Sequence, residues 1–226
     1  MGKYYSIAID GPAGAGKSTI AKRLAKELGY HYVDTGAIYR TLGYFFDLVG
    51  IGPKDIDGIT RLIDECVIEI EWDEDGSQHM FLNEIDVSED IRTPEISKIA
   101  SAVSAHKLVR DTLLDMQRDV ARKNNVIMDG RDIGSVVLPK ADVKFYLTAS
   151  PEVRAKRRYE ELIAKGQKAN LPQVLKEIEQ RDYQDTHREI APLKMARDSV
   201  KLDTSDLDID GVIAAMRKII EEKIVL

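Results

Sequence analysis

The run Gly11-Pro12-Ala13-Gly14-Ala15-Gly16-Lys17-Ser18-Thr19 concentrates glycines, one lysine and two hydroxyls. A polyphosphate needs closely spaced donors, and glycines at 11, 14 and 16 let backbone amides point inward without side chains in the way. Lys17 adds a point charge for the β and γ phosphates, Ser18 a hydroxyl for Mg²⁺ and Thr19 a hydroxyl for a phosphate oxygen. The pattern is that of a phosphate-binding loop for ATP, with Mg²⁺ as its accompanying cation. Met128-Asp129 ends an apolar run with a carboxylate, the form expected of an acid that holds magnesium directly or through water. The rival run Glu71-Trp72-Asp73-Glu74 lies in a charged hairpin, where solvation is the simpler role.

These residues need a strand before the loop and a helix after it. Lys3 to Asp10 carries Tyr4, Tyr5, Ile7 and Ile9 and stops at Gly-Pro, which predicts a strand. From Ser18, Ile20, Ala21, Leu24, Ala25 and Leu28 keep a helical period, and Gly29 suits the left-handed position after a helix. The helix then points its positive end at the anion. Tyr30–Val33, Val126–Gly130, Val143–Ala149 and Ser199–Leu202 read as further strands. Helices are expected from Asp34-Thr35-Gly36, over Lys54–Glu65, over most of Ser88–Asn124 with a break near Thr93-Pro94, from Pro151, from Leu171 and over Ile209–Lys223. Strands alternating with helices imply an α/β chain with a central parallel sheet in three layers. Val67–Trp72 and His79–Val87, joined by Asp73-Glu74-Asp75-Gly76, predict a hairpin that interrupts the alternation and marks an inserted lobe.

The chain has 226 residues and a net charge of −6, which argues against a binder of nucleic acid dominated by phosphate contacts. Residues 64–95 hold twelve acids against Arg92 alone, whereas 151–200 hold eleven Lys and Arg against nine acids; the later region is the one able to hold anions. No stretch approaches the ~20 apolar residues of a membrane span. The first residues leave no room for a secretory leader before the first strand, so a cytoplasmic location is expected, with a monomer as the default state. The single Cys66 has no internal disulfide partner, and an inert, buried thiol is expected.

Two details separate the classes that share such a loop. No Asn-Lys pair exists to read guanine, and Gly130 stands after Asp129 where a hydrolytic ATPase usually carries a water-activating glutamate. Transfer is favoured over hydrolysis.

Asp34-Thr35-Gly36-Ala37-Ile38-Tyr39-Arg40, Ile91-Arg92-Thr93, Met128-Asp129-Gly130-Arg131-Asp132-Ile133-Gly134, and Arg181-Asp182 through Arg188 to Ala191-Pro192-Leu193 resemble the bacterial cytidylate kinases, in order and spacing along nearly the whole chain. The resemblance implies a P-loop nucleoside monophosphate kinase fold. Its parts are a core (1–34, 106–153 and 171–226), an acceptor-nucleotide lobe with the inserted hairpin (35–105) and a lid (154–170). It also implies that ATP phosphorylates CMP or dCMP.

On that resemblance the acceptor site draws on Thr35, Gly36, Tyr39, Arg40, Ser101, Arg110, Arg131, Asp132, Arg181, Asp185 and Arg188. Cytosine offers an amino donor beside two acceptors, so its pocket wants one carboxylate and neighbouring donors; Asp132, Arg110 and Ser101 match the family positions for this. Arg40, Arg131 and Arg188 match those for the acceptor phosphate, where bidentate guanidinium geometry suits phosphate oxygens. Arg181, Asp185 and Arg188 at i, i+4 and i+7 are expected on one helical face, the first two toward the sugar. Lys17, Arg131, Arg188 and a lid arginine, Arg157 among Arg154, Arg157 and Arg158, are the catalytic candidates. Thr35 stands where serine is frequent in the family, which leaves its closeness to a ligand open. Two other readings stay open: a kinase for another small acceptor, which for an alcohol would need a well-placed base, and a non-catalytic nucleotide switch recruiting a partner through residues 64–95.

Overall fold

The computed structural model describes residues 3–224. In chain order its elements are β1 (Ser6–Asp10), α1 (Lys17–Leu28), β2 (His31–Asp34), α2 (Thr35–Leu48), α3 (Ile56–Leu62), β3 (Ile68–Trp72), β4 (Gln78–Leu82), β5 (Ile85–Asp86), α4 (Pro94–Val103), α5 (Lys107–Lys123), β6 (Val126–Gly130), β7 (Val143–Thr148), α6 (Pro151–Ala164), α7 (Leu171–His187), β8 (Val200–Asp203) and α8 (Ile209–Lys223). Several helices start where the sequence supplies a cap: Asp34, Thr93, Ser150, Asn170 and Asp208 each accept an amide hydrogen from the first turn that follows, satisfying a donor the helix itself leaves unpaired.

Five strands form one parallel sheet in the order β2-β6-β1-β7-β8. Its two faces sort the side chains by strand alternation. Ala8, Val33, Val126 and Met128 join Ile38, Leu42, Phe46, Val109 and Leu113 in one core. Ile7, Ile9, Ile127, Phe145 and Leu147 join Ile20, Leu24, Val212, Ile213 and Met216 in the other. The sheet is thus the middle of three layers, with α2 and α5 on one side and α1 and α8 on the other. Every strand of it ends at the same edge, the usual place for a ligand in this architecture.

A second, antiparallel sheet has the order β3-β4-β5. The predicted strand His79–Val87 is two strands here, because Asn83 and Glu84 both take positive φ (48° and 70°), the geometry of a tight hairpin turn. The helical stretch predicted over Ser88–Asn124 likewise breaks a second time, between α4 and α5. The small sheet packs against the outer edge of β2. Trp72 Nε1 donates to the Tyr32 carbonyl (2.8 Å), the Asp34 amide donates to Gln78 Oε1 (2.7 Å), and the Trp72 ring lies 4.4 Å from that of His31. These bonds cover polar groups that an edge strand otherwise exposes. Cys66 is half-buried, and burial pushes its thiol up to about 12. No helix among the described residues is long and apolar enough to cross a membrane.

Candidate active site

Gly11–Gly16 connects β1 to α1 as a tight loop. Gly11 has φ 149°, and a Cβ there would sit 2.0 Å from the Leu147 carbonyl oxygen; Gly14 has φ 77° and lies against Arg154. Only glycine fits the first position, and left-handed glycines are how successive amides gather around an anion. Lys17 is buried and folds back, its Nζ donating to the Pro12 carbonyl at 2.8 Å. Burial first, then the Arg131 charge, lower its ammonium pKa, while Asp129 and Asp10 oppose them. Ser18 and Thr19 are exposed at the start of α1.

Asp129, at the end of β6, is 4% exposed. Its two oxygens are both engaged: Ser18 Oγ donates to one at 2.8 Å and the Tyr32 hydroxyl to the other at 2.9 Å. Burial and the neighbouring Asp34 raise its pKa against Lys17 and these two bonds. Asp34 stands opposite Asp129 in the β2–β6 register. The Thr35 hydroxyl donates to the Asp129 carbonyl at 2.7 Å, so its proton is already committed. Tyr32 was not among the sequence candidates. It sits inside a short apolar strand 97 residues before its partner, and no spacing rule links the two.

Beyond Gly130 the chain presents Arg131 and Asp132. Asp132 is 4% exposed and forms ion pairs with Arg110 of α5 and with Arg188, the latter at 3.4 Å. Arg131 Nε donates to Asp185 of α7 at 2.7 Å. Burial works to raise the Asp185 carboxyl, but the Arg131 charge and hydrogen bond, with Arg181 and Arg188, outweigh it and hold the group below its usual value. The Arg110 guanidinium lies 5.5 Å over the Tyr39 ring and donates to the Ser104 carbonyl at 3.2 Å; the Ser104 hydroxyl donates to the Ser101 carbonyl at 2.8 Å. Tyr39, Arg110, Asp132 and Arg188 are therefore one connected group, which Ser101 reaches only through its carbonyl and Ser104. Arg40 pairs with Asp34 at 2.8 Å, and a Cβ on Gly36 would lie 3.0 Å from both side chains. Arg181 is exposed on α7.

Two expectations about arginines change. Arg188 is not on the α7 face with Arg181 and Asp185: the helix ends at His187, and Arg188 is extended (φ −62°, ψ 141°). Its Nε donates to the Ala191 carbonyl at 2.7 Å, across a turn in which Ala191 holds φ 48°, and this turn aims it at Asp132. Of the three arginines after Pro151, Arg154 is 3% exposed, donating to the Ala149 and Ala13 carbonyls (2.9 and 3.1 Å) and to both oxygens of Asp182. Arg157 donates to the hydroxyl and carbonyl of Thr204, whose hydroxyl in turn donates to Ala15 O at 3.3 Å. Arg158 is exposed and pairs with Glu161 at 2.8 Å. Arg154 and Arg157 thus brace the phosphate loop, the first directly at Ala13 and the second through Thr204 at Ala15.

The chain is similar to known proteins along nearly its full length. A family model described as Cytidylate kinase matches residues 7–222. It is 49% identical over 222 residues to a protein named Cytidylate kinase from Exiguobacterium sp., covering 98% of this chain and 99% of that one. A Cytidylate kinase from Carboxydothermus hydrogenoformans is 48% identical over 217 residues (96% and 97%), and one from Streptococcus pneumoniae 43% over 221 (98% and 99%). Similarity of this extent spans the phosphate loop, the Asp129–Asp132 segment and the Arg181–Leu193 segment together: this chain belongs to the cytidylate kinase family.

Proposed function

We propose that the chain transfers the γ-phosphoryl group of ATP to CMP and dCMP, giving ADP with CDP or dCDP. The observation that carries this reading is the continuity of Asp129 to Asp132. One strand end touches Ser18 of the phosphate loop and, three residues later, holds a buried carboxylate between Arg110 and Arg188. Donor and acceptor sites thereby meet on a single segment, and family membership supports the same substrates.

Lys17 and the loop residues Gly11–Gly16, with Ser18 and Thr19, hold the triphosphate. Arg40, Arg131 and Arg188 receive the 5′-phosphate of the acceptor, releasing the carboxylates they now pair with. An oxygen of that phosphate attacks the γ-phosphorus in line, and the bond to the β–γ bridging oxygen breaks as ADP leaves. The attacking phosphate is already ionised near neutral pH, so positive charge and positioning matter more than a base. Asp132 accepts from the cytosine amino group, with Arg110 and Ser101 beside it; Arg181 and Asp185 reach the sugar, and Tyr39, Thr35 and Gly36 line the acceptor.

Ser18 and Asp129 fit Mg²⁺, since both are hard oxygen donors bonded to each other at 2.8 Å. Among the described residues no three His, Cys, Asp or Glu cluster as a metal cage, which suits an ion held by one or two carboxylates together with phosphates and water. Bound there, the ion neutralises the phosphate oxygens and orients them.

Residues 35–105 act as the acceptor lobe and 154–170 as the lid, on a core of 1–34, 106–153 and 171–226. Because Arg154 and Arg157 tie the first turns of α6 to the phosphate loop and to Thr204, the closing part begins beyond Arg157, and Arg157 acts from its place beside the loop. We read the enzyme as a cytoplasmic monomer that binds neither nucleic acid nor membrane. Phosphorus NMR of the chain with Mg·ATP and CMP tests the reaction: CDP and ADP resonances growing together support it, and ADP with inorganic phosphate alone contradicts it.

A further inference from the structure

Asp10 closes β1 immediately before the phosphate loop and is 1% exposed, yet no step above uses it. Its carboxylate accepts two amide hydrogens 123 and 124 residues away, Ile133 N on one oxygen and Gly134 N on the other, both at 2.7 Å. Asp10 is opposite Gly130 in the β1–β6 register, so this clasp begins where the ladder stops. It fixes the two residues that follow Arg131 and Asp132. Asp132 itself takes φ −144°, ψ 24°, outside the helical and strand regions, and leads into a single π-helical turn over Ile133–Val137. Gly134 is hemmed in at the clasp itself: a Cβ there would lie 3.1 Å from Lys144 Cδ and 3.2 Å from the Asp10 oxygen. Lys144 is anchored to Asp198 at 2.8 Å and to the Pro139 carbonyl at 2.6 Å.

We propose that Asp10 is a positioning residue for acceptor selection, holding the Arg131-Asp132 segment in the register at which Asp132 meets the cytosine base. The inference rests on the kinase reading above and on Asp132 as the base reader. The buried ends of that segment are ion pairs whose strength depends on where the backbone carries them, and a small displacement of a positioned group weakens discrimination steeply. Because Asp10 is also the residue before Gly11, one side chain sets both the start of the donor loop and the placing of the acceptor reader.

Asp10→Asn puts an amide donor against one of two amide donors, so half the clasp is lost at unchanged size. Gly134→Ala presses a methyl group onto the Asp10 carboxylate and Lys144 and decides the matter should the first variant not fold. Steady-state kinetics of the full chain with CMP and with UMP are compared, alongside binding of a fluorescent ATP analogue and a circular-dichroism melt. The expected result is a CMP-over-UMP ratio of kcat/KM reduced about tenfold, with a raised KM for CMP and a smaller change in ATP-analogue affinity. Folded variants that keep the wild-type ratio, losing only melting temperature or kcat, overturn the proposal. A wild-type chain that makes no CDP fails the kinase reading itself, so the two failures are distinct.

Discussion

Lys17 spends its buried ammonium on one backbone carbonyl, Pro12 O, a partner that a phosphate oxygen outbids, so Lys17→Ala is expected to fold and to lose about 10²–10³ in kcat by loss of transition-state charge stabilisation. Asp132 is different, because it neutralises two guanidiniums that are themselves largely buried. Removing it outright in Asp132→Ala leaves them unpaired and is expected to destabilise the fold by about 3–5 kcal/mol, measurable by urea unfolding. Asp132→Asn keeps the volume and is the cleaner test of base reading: the CMP-over-UMP ratio should fall about tenfold, from a mispaired buried group, and an unchanged ratio removes Asp132 from that role. Asp10 makes a pH prediction. Burial, moderated by its two amide bonds, raises its pKa to about 6. The folded state therefore holds this proton more tightly than the unfolded chain, and the Asp10 contribution to stability is present at low pH and is lost as pH rises through about 6. Asp10→Asn should flatten the stability profile between roughly pH 4 and 6, read from unfolding midpoints across that range.

At the scale of elements, β2 ends at Asp34 and leads directly into Thr35, Gly36, Tyr39 and Arg40 of α2, the residues proposed for the acceptor, and it is an edge strand. The hairpin secures it through Trp72 and Gln78. Trp72→Phe keeps the ring but deletes the bond to the Tyr32 carbonyl; a loss of about 1–3 kcal/mol is expected for the buried acceptor left unpaired, with faster amide exchange along β2 than along β1. Much of this was legible in sequence. The phosphate loop, α1 and the sheet strands announced themselves through glycine spacing and hydrophobic period, since those signals are local. The turn at Asn83-Glu84 was not, because glutamate is an unusual occupant of a left-handed position. The attachment of the hairpin to β2 and the Tyr32–Asp129 bond were also invisible, being contacts between residues 40 and 97 positions apart. Arg154, Arg157 and Arg158 looked alike by spacing, and only packing separated the two that brace the loop from the one in solvent.

Across the whole molecule, five strands deliver their ends to one edge, and from that edge come the phosphate loop after β1, the start of α2 after β2, the Asp129–Asp132 segment after β6, and Thr148 and Thr204 beside the loop. The arginines at this edge are held by carboxylates: Arg40 by Asp34, Arg131 by Asp185, Arg110 and Arg188 by Asp132. On the proposed reading the acceptor phosphate takes the place of Asp34, Asp185 and Asp132 at Arg40, Arg131 and Arg188, while Arg110 keeps Asp132 as its partner. The central claim, ATP-dependent phosphorylation of a cytidine nucleotide, is tested most directly by coupled ADP release with CMP, dCMP, UMP and AMP offered singly as acceptors. The account predicts acceptor-dependent release with CMP and dCMP, exceeding that with UMP and AMP. Release that is independent of every acceptor, or greatest with AMP, would contradict it.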